Sequence, residues 1–470
     1  MSTFIRRAAT AGVPLAAATL AALTAAPAAG STAVTAARHR SNPSAVTGTR
    51  VARAEPLLRA VGPPFPQPPS ISECKATRNG RSCYGPNQLT RAYDVDSLHQ
   101  RGITGKGVTI AIVDSFGSPT ALSDLKTFDR AFGLPDPPSF RIITPAGKPP
   151  AFDPNDPEMV GWAQETSLDV QMAHAMAPGA NILLVETPVA ETEGTVGFPQ
   201  IVQAENYVIN NGLADVISQS FGASEPTFPS KQALLNLRSA FVNAANHNVT
   251  VLASSGDSGS TDSVFDGSTY FHHRTNSWPS SDPLVTSVGG TELHLNQYGG
   301  RISADSVWNQ TAYYGDAVAG GGGTSMYFSR PGYQNSVAGR VGAHRGTPDI
   351  SLSSSTNGGA IVYLGFNSPL SPNGFWVFGG TSEASPLFSG IVAMAVQAAG
   401  HRLGQLNPAL YRFANRPALP DIRKGNNTVS FVDPKTNKTV TVQGWNAVAG
   451  YDLASGLGTV DAAALVQSLR

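Results

Sequence analysis

The chain has 470 residues and carries 32 Lys and Arg against 32 Asp and Glu, a formal net charge of zero. A hydrophobic content of 41% over that length supports a large buried core and excludes a disordered chain. No net field is available to gather nucleic acid or anionic lipid, so neither is expected as a partner. Charged residues make up only 14%, against the ~25% usual for soluble domains, and the 48 Gly and 35 Pro point to a loop-rich, exported chain.

In chain order, Arg6 and Arg7, the apolar stretch 13–23 and the small residues Ala26, Pro27 and Ala28 read as an export signal over residues 1–30, which predicts a secreted protein. Residues 31–70, rich in Ala, Arg, Ser and Pro, read as a linker or short pro-segment that forms no packed element. Residues 71–470 read as one folded domain. Cys74 and Cys83, the only cysteines, flank a polar turn with Asn79-Gly80 and are expected to pair in an exported chain. A loop this short contributes about 2 to 3 kcal/mol at most. A redox or metal pair would need CxxC spacing and further ligands, which are missing. No later segment is long and apolar enough to cross a membrane.

Residues 108–114 form an unbroken apolar strand ending at Asp114, and further strands are expected at 181–185, 215–218 and 250–253. Helical stretches at 160–176, 201–210 and 232–246 alternate with them, and a last helix runs over 383–399. This alternation predicts an α/β fold, a doubly wound and mostly parallel sheet with helices on both faces. Such sheets hold ligands at the carboxyl ends of their strands.

Three segments place reactive side chains there. Ser382 follows an apolar strand and the turn Gly379-Gly380, and opens a helix, where an unpaired N–H and the positive helix end stabilise a developing oxyanion. Taken alone it reads more readily as an ordinary helix cap. No histidine has the setting of a serine base. Glu165 and Asp169 stand at i and i+4 on a helix expected to be amphipathic, so their carboxyls share one face and, repelling, one proton. Read by themselves, such acids more often form a solvated face. Asp257, on a glycine loop after the strand 250–253, is either a turn residue or a protonated donor to an oxyanion.

Glu165 and Asp169 precede Ala177-Pro178-Gly179-Ala180-Asn181-Ile182; residues 255–259 read Ser-Gly-Asp-Ser-Gly; residues 380–386 read Gly-Thr-Ser-Glu-Ala-Ser-Pro. In this order and over roughly residues 84–470 the chain resembles the sedolisin family of serine-carboxyl peptidases, which have a subtilisin-like fold. The resemblance implies Ser382 as nucleophile, Glu165 as base, Asp169 as its partner and Asp257 as the oxyanion acid. It also implies one structural calcium ion, held by the carboxylates of Asp421 and Asp452 and the carbonyls of Ile422, Val448 and Gly450, with Val448 standing where the family has glycine. The segment holding Ser218, Ser220, Phe221 and Gly222 is similar to the family's substrate-cleft strand, which pairs with an extended peptide. The partners implied are protein or peptide substrates, met by a monomer. The family carries a long N-terminal prodomain. Here about 40 residues separate the expected signal from the catalytic region, so folding either proceeds unaided or draws on a prodomain supplied otherwise.

Two rivals are weighed. A subtilisin-type triad would join Asp114 and His174 to Ser382, though His174 lacks a glycine-flanked setting. A catalytically silent binding protein of the same fold is the other, and the four filled catalytic positions argue against it. Proton-holding roles for the Glu165 and Asp169 pair and for Asp257 predict an optimum below neutral pH.

Overall fold

The computed structural model describes residues 64–470, so the expected export signal and most of the expected linker lie outside the described residues. An eight-stranded sheet forms the centre. Its strands are β1 (Thr109–Ser115), β2 (Phe140–Ile143), β3 (Asn181–Thr187), β4 (Val216–Gln219), β5 (Thr250–Ser254), β6 (Thr286–Glu292), β7 (Ser306–Val307) and β8 (Ile350–Ser353). They lie in the order β7-β6-β5-β4-β1-β3-β2, with β8 paired to β6, and only β7 runs antiparallel to its neighbour. The sheet is doubly wound, as the apolar runs and their helical spacers imply.

Strand parity sorts the core. Ile110, Ile112, Ile182, Leu184, Val216, Leu252 and Val288 face α2 (Pro157–Met176) and α5 (Thr381–Ala399). Ala111, Val113, Leu183, Val185, Ile217 and Val251 face α3 (Phe198–Asn210) and α4 (Ser239–Asn246). Each fully buried aliphatic side chain in these layers contributes ~2 kcal/mol. The helix α1 (Ala121–Phe132) packs on α2 from the outer side.

The structure departs from the sequence reading in four places. Helix α2 is not amphipathic: from Glu165 to Met176 every side chain is buried, because α5, α1 and the hairpin of Gly359–Leu364 and Gly374–Phe378 enclose it. The helix expected over 232–246 breaks into Lys231–Leu235 and α4, with Arg238 at the break paired to the buried Asp282, Nε to Oδ2 at 2.5 Å. Strand β8 escaped notice because it is short and lies in a Gly- and Ser-rich stretch. The end of the expected linker is packed: Phe65 exchanges two 2.8 Å backbone hydrogen bonds with Phe375 and covers that hairpin's edge. The disulfide between Cys74 and Cys83 is formed.

Candidate active site

At the carboxyl edge of the sheet, the chain leaves the strand Gly374–Phe378, turns at Gly380 with φ 137°, a conformation reserved for glycine, and enters α5. Thr381 is the first helical residue and Ser382 the second. The Thr381 N–H and hydroxyl both donate to Asp257 Oδ1, at 2.7 Å each, so a loop acid caps the helix from another strand. The Ser382 N–H donates to no protein acceptor among the described residues. Pro386 lies inside the helix. Having no N–H, it leaves the Ser382 carbonyl without its helical donor, and the Ser220 hydroxyl takes that place at 3.4 Å. One proline thus ties the serine's backbone to the strand end beside it.

Below Ser382, Glu165 and Asp169 rise from one face of α2 and are wholly buried. None of their four carboxylate oxygens has a hydrogen-bond partner within 3.5 Å among the described residues. Burial lifts Glu165 well above the usual carboxylate range, and the charges of Asp114 and Asp257 add to it, while the nearby Ser382 hydroxyl pulls the other way. Asp169 is lifted by burial and then by Glu165, with the Ser220 hydroxyl opposing. Two such groups hold one proton between them, which leaves one carboxylate able to accept another. Asp257 is half-buried, and desolvation against the opposing Thr381 hydrogen bonds pushes it up to about 6.

A third buried acid joins the pair. Asp114 is the last residue but one of β1, on the face that α2 covers, and burial pushes it up to about 7. Its cross-strand partner in register is Glu186 on β3, also raised to about 7 by burial. Sequence reading weighed Asp114 only as a triad member. The missed signal was parity, since Ile110, Ile112 and Asp114 share one face of β1.

His174 is removed from the chemistry. It follows Glu165 by nine residues, half a turn out of phase on α2, and is wholly buried with Nε2 at 2.8 Å from the Pro135 carbonyl and 3.3 Å from Asp129 Oδ1. Burial lowers it to about 4, and its position against Pro135 and Asp129 leaves the rival triad without a base.

The expected substrate-cleft residues divide. Ser218 is wholly buried, its hydroxyl 2.9 Å from that of Ser385 on α5. Phe221 is buried among Trp162 and Phe198. Ser220 reaches Ser382 as described, and Gly222 is partly open to solvent.

Far along the chain, the expected calcium ligands come together. The Gly450 N–H donates to Asp421 Oδ2 at 3.1 Å and the Val448 N–H to Asp452 Oδ2 at 2.9 Å. Asp421 Oδ1 is buried without a partner, and the carbonyls of Ile422, Val448 and Gly450 accept no hydrogen bond among the described residues. The orphaned Asp421 oxygen and the free carbonyls suit a hard cation, whereas both Asp452 oxygens already accept hydrogen bonds, from Val448, Ala454 and Ser455. Among the described residues no group of three or more His, Cys, Asp or Glu could hold a metal, so main-chain oxygens are essential to any site here. Arg423 pairs with Asp421 Oδ2 at 2.7 Å and is largely exposed, free to swing aside.

Comparison with known proteins identifies the family. Residues 155–412 match the model of the Subtilase family. Kumamolisin of Bacillus sp. (strain MN-32) is 31% identical over 405 residues, covering 84% of this chain and 65% of that protein. Sedolisin of Pseudomonas sp. (strain 101) is 31% identical over 395 residues, covering 82% of this chain and 61% of its own length. The chain therefore spans less than two thirds of these relatives. The solved structure of Pseudomonas sedolisin, a serine-carboxyl proteinase complexed with two molecules of pseudo-iodotyrostatin, superposes with a TM-score of 0.67 at 29% identity, over 83% of this chain and 98% of that one.

Proposed function

Because the chain belongs to the subtilase family, in its sedolisin group of serine-carboxyl peptidases, we propose that it hydrolyses peptide bonds through an acyl-enzyme on Ser382. The reading includes action at acidic pH, as a secreted monomer, with residues 71–470 as the peptidase domain and residues 1–30 as its export signal. The observation that carries it is the wholly buried pair of Glu165 and Asp169 beside Ser382 and Asp257.

Ser382 Oγ attacks the peptide carbonyl carbon while its proton passes to Glu165. Asp169 backs that carboxyl through the proton they share. The carbonyl oxygen becomes an oxyanion held by the Ser382 N–H and by a protonated Asp257, whose Oδ1 is occupied by Thr381 and whose Oδ2 is free to donate. Glu165 returns its proton to the leaving amine as the C–N bond breaks, and water repeats the sequence on the ester. The proton on Asp257 ties the activity to acid, since it leaves above about pH 6.

The substrate is an extended protein or peptide lying along the strand end that carries Ser218, Ser220, Phe221 and Gly222, with the backbone of that segment as its partner. Asp421, Asp452 and the carbonyls of Ile422, Val448 and Gly450 would hold a calcium ion. Such an ion would neutralise two carboxylates and tie together the loops that carry them.

The test is hydrolysis of a denatured protein between pH 3 and 9 by the wild type, Ser382→Ala and Glu165→Gln. Acid-side activity abolished by both substitutions is expected. A profile that peaks above pH 8, or activity that survives Glu165→Gln, overturns the reading.

A further inference from the structure

The loop closed by the disulfide between Cys74 and Cys83 carries a buried cation towards the turn that presents Ser382. Arg81, two residues before Cys83, is 6% exposed. Its guanidinium lies over the Tyr313 ring, 3.6 Å from the centroid, and Nη1 donates to the Thr356 hydroxyl at 2.9 Å. Among the described residues no Asp or Glu forms an ion pair with Arg81, and its Nε has no hydrogen-bond partner. Burying a cation in this way is costly. The aromatic face and the Thr356 hydroxyl are what offset it.

Thr356 is the point on which these contacts converge. Its hydroxyl donates to Gln310 Oε1 at 2.8 Å, so Arg81 and the Tyr314 hydroxyl, the latter also at 2.8 Å, fill its two acceptor positions. The Thr356 N–H donates to the same Gln310 oxygen at 3.3 Å. The residues that follow are bound to the disulfide loop as well. The Ser82 N–H donates to Asn357 Oδ1 at 3.1 Å, the Gly358 N–H donates to the Ser82 carbonyl at 2.9 Å, and Cys83 and Tyr84 pair in parallel register with Gly359 and Ala360. Glu292, at the end of β6, accepts the Ser355 hydroxyl at 3.0 Å and the Asn357 amide at 2.9 Å. Residues 354–359 are thus clamped between the sheet and residues 81–84.

The turn before Ser382 rests on this segment. The Gly380 N–H donates to the Ser354 carbonyl at 2.7 Å. A Cβ on Gly379 would lie 2.7 Å from both the Ser354 oxygen and the Thr356 nitrogen, so the two backbones meet with no side chain between them. A shift of Thr356 therefore passes directly to Gly379 and Gly380, from which Thr381 and Ser382 enter α5.

We propose that Arg81 is a positioning residue for the nucleophile: by fixing Thr356 against Gly379 it holds the turn that aims the Ser382 hydroxyl and N–H at the scissile carbonyl. The inference rests on the peptidase reading and adds to it a residue that acts only through the backbone of others. Such aim matters, because a misplacement of ~1 Å at a reacting group costs about a hundredfold in rate.

The experiment uses the 470-residue chain and one peptide substrate at acid pH. Arg81→Met keeps the stem of the side chain and removes the guanidinium; it is expected to lower kcat about tenfold with KM within about twofold of the wild type. Arg81→Lys restores a charged donor and should recover most of that loss. Thr356→Val, nearly isosteric, is expected to lower kcat to a similar degree, and the double variant no further, because both act through one contact. Melting temperatures, measured alongside, separate this from a loss of stability. An unchanged kcat well below the melting transition, a loss carried by KM, or losses that multiply in the double variant overturn the proposal and leave the peptidase reading intact. If Arg81→Met does not fold, Thr356→Val carries the test with the same outcomes. If the wild type cleaves no peptide, the peptidase reading fails, and hydrogen exchange read by mass spectrometry decides the contact separately: faster exchange over residues 354–359 and 379–382 in the Arg81 or Thr356 variant supports it, and unchanged exchange overturns it.

Discussion

Glu205 offers a test of the electrostatics with the chemistry left aside. It is wholly buried on α3, one carboxylate oxygen accepting the Gln219 amide and the other without a partner. Burial pushes it from 4.5 up to about 8, against the pull of that amide. The unfolded chain releases this proton near pH 4.5, whereas the folded chain keeps it until about pH 8. The stability it contributes is thus complete below pH 4.5 and lost as pH rises towards 8. One proton held differently changes stability by 1.36 kcal/mol per pH unit, so between pH 5 and pH 8 the loss is about 3 kcal/mol, a large share of the 5–15 kcal/mol typical of a domain. Glu205→Gln keeps the shape and the amide contact and cannot ionise. Urea unfolding, with Ser382→Ala as background to prevent self-digestion, should give nearly equal stabilities at pH 5 and an advantage of about 3 kcal/mol for the Gln variant at pH 8. Parallel pH dependences of the two chains would refute the reasoning.

Three further outcomes are expected. Asp257→Ala removes an oxyanion donor and should lower kcat about 10²- to 10³-fold with little change in KM, measured by steady-state kinetics on one peptide. Thr381→Val removes the hydroxyl that favours the charged form of Asp257 and keeps the backbone bond; the group's pKa should rise from about 6, carrying the alkaline limb of kcat to higher pH, and an unmoved limb would detach Asp257 from it. Chelation with EGTA should lower the melting temperature of the wild type, and Asp421→Asn should remove that response. A chain indifferent to both has no calcium at this site.

The fold was legible because strand parity and helical spacing are local. The apolar runs at 108–114 and 181–185 needed no tertiary knowledge, and the glycine turn before Ser382 announced a helix start. What stayed hidden depends on enclosure. The character of α2 could not be read from its own residues: Glu165 and Asp169 look like one wet face until α1, α5 and the hairpin over 359–378 close around them. That same enclosure makes the acid pair chemically useful, since a solvated pair would ionise near pH 4 and neither member would share a proton. His174 inverts the lesson. A histidine near a serine invites a triad, yet its half-turn offset from Glu165 was countable in the sequence and already pointed it away from the strand ends. Asp114 was legible by the same arithmetic, and its neighbour Glu186 was not, because register between β1 and β3 is a tertiary fact. The acids of this edge therefore act as one charge system whose members come from four separate segments. Only pairing and packing bring them together, and their collective resistance to ionisation links the low-pH activity proposed for the site to stability that these groups withdraw as they ionise.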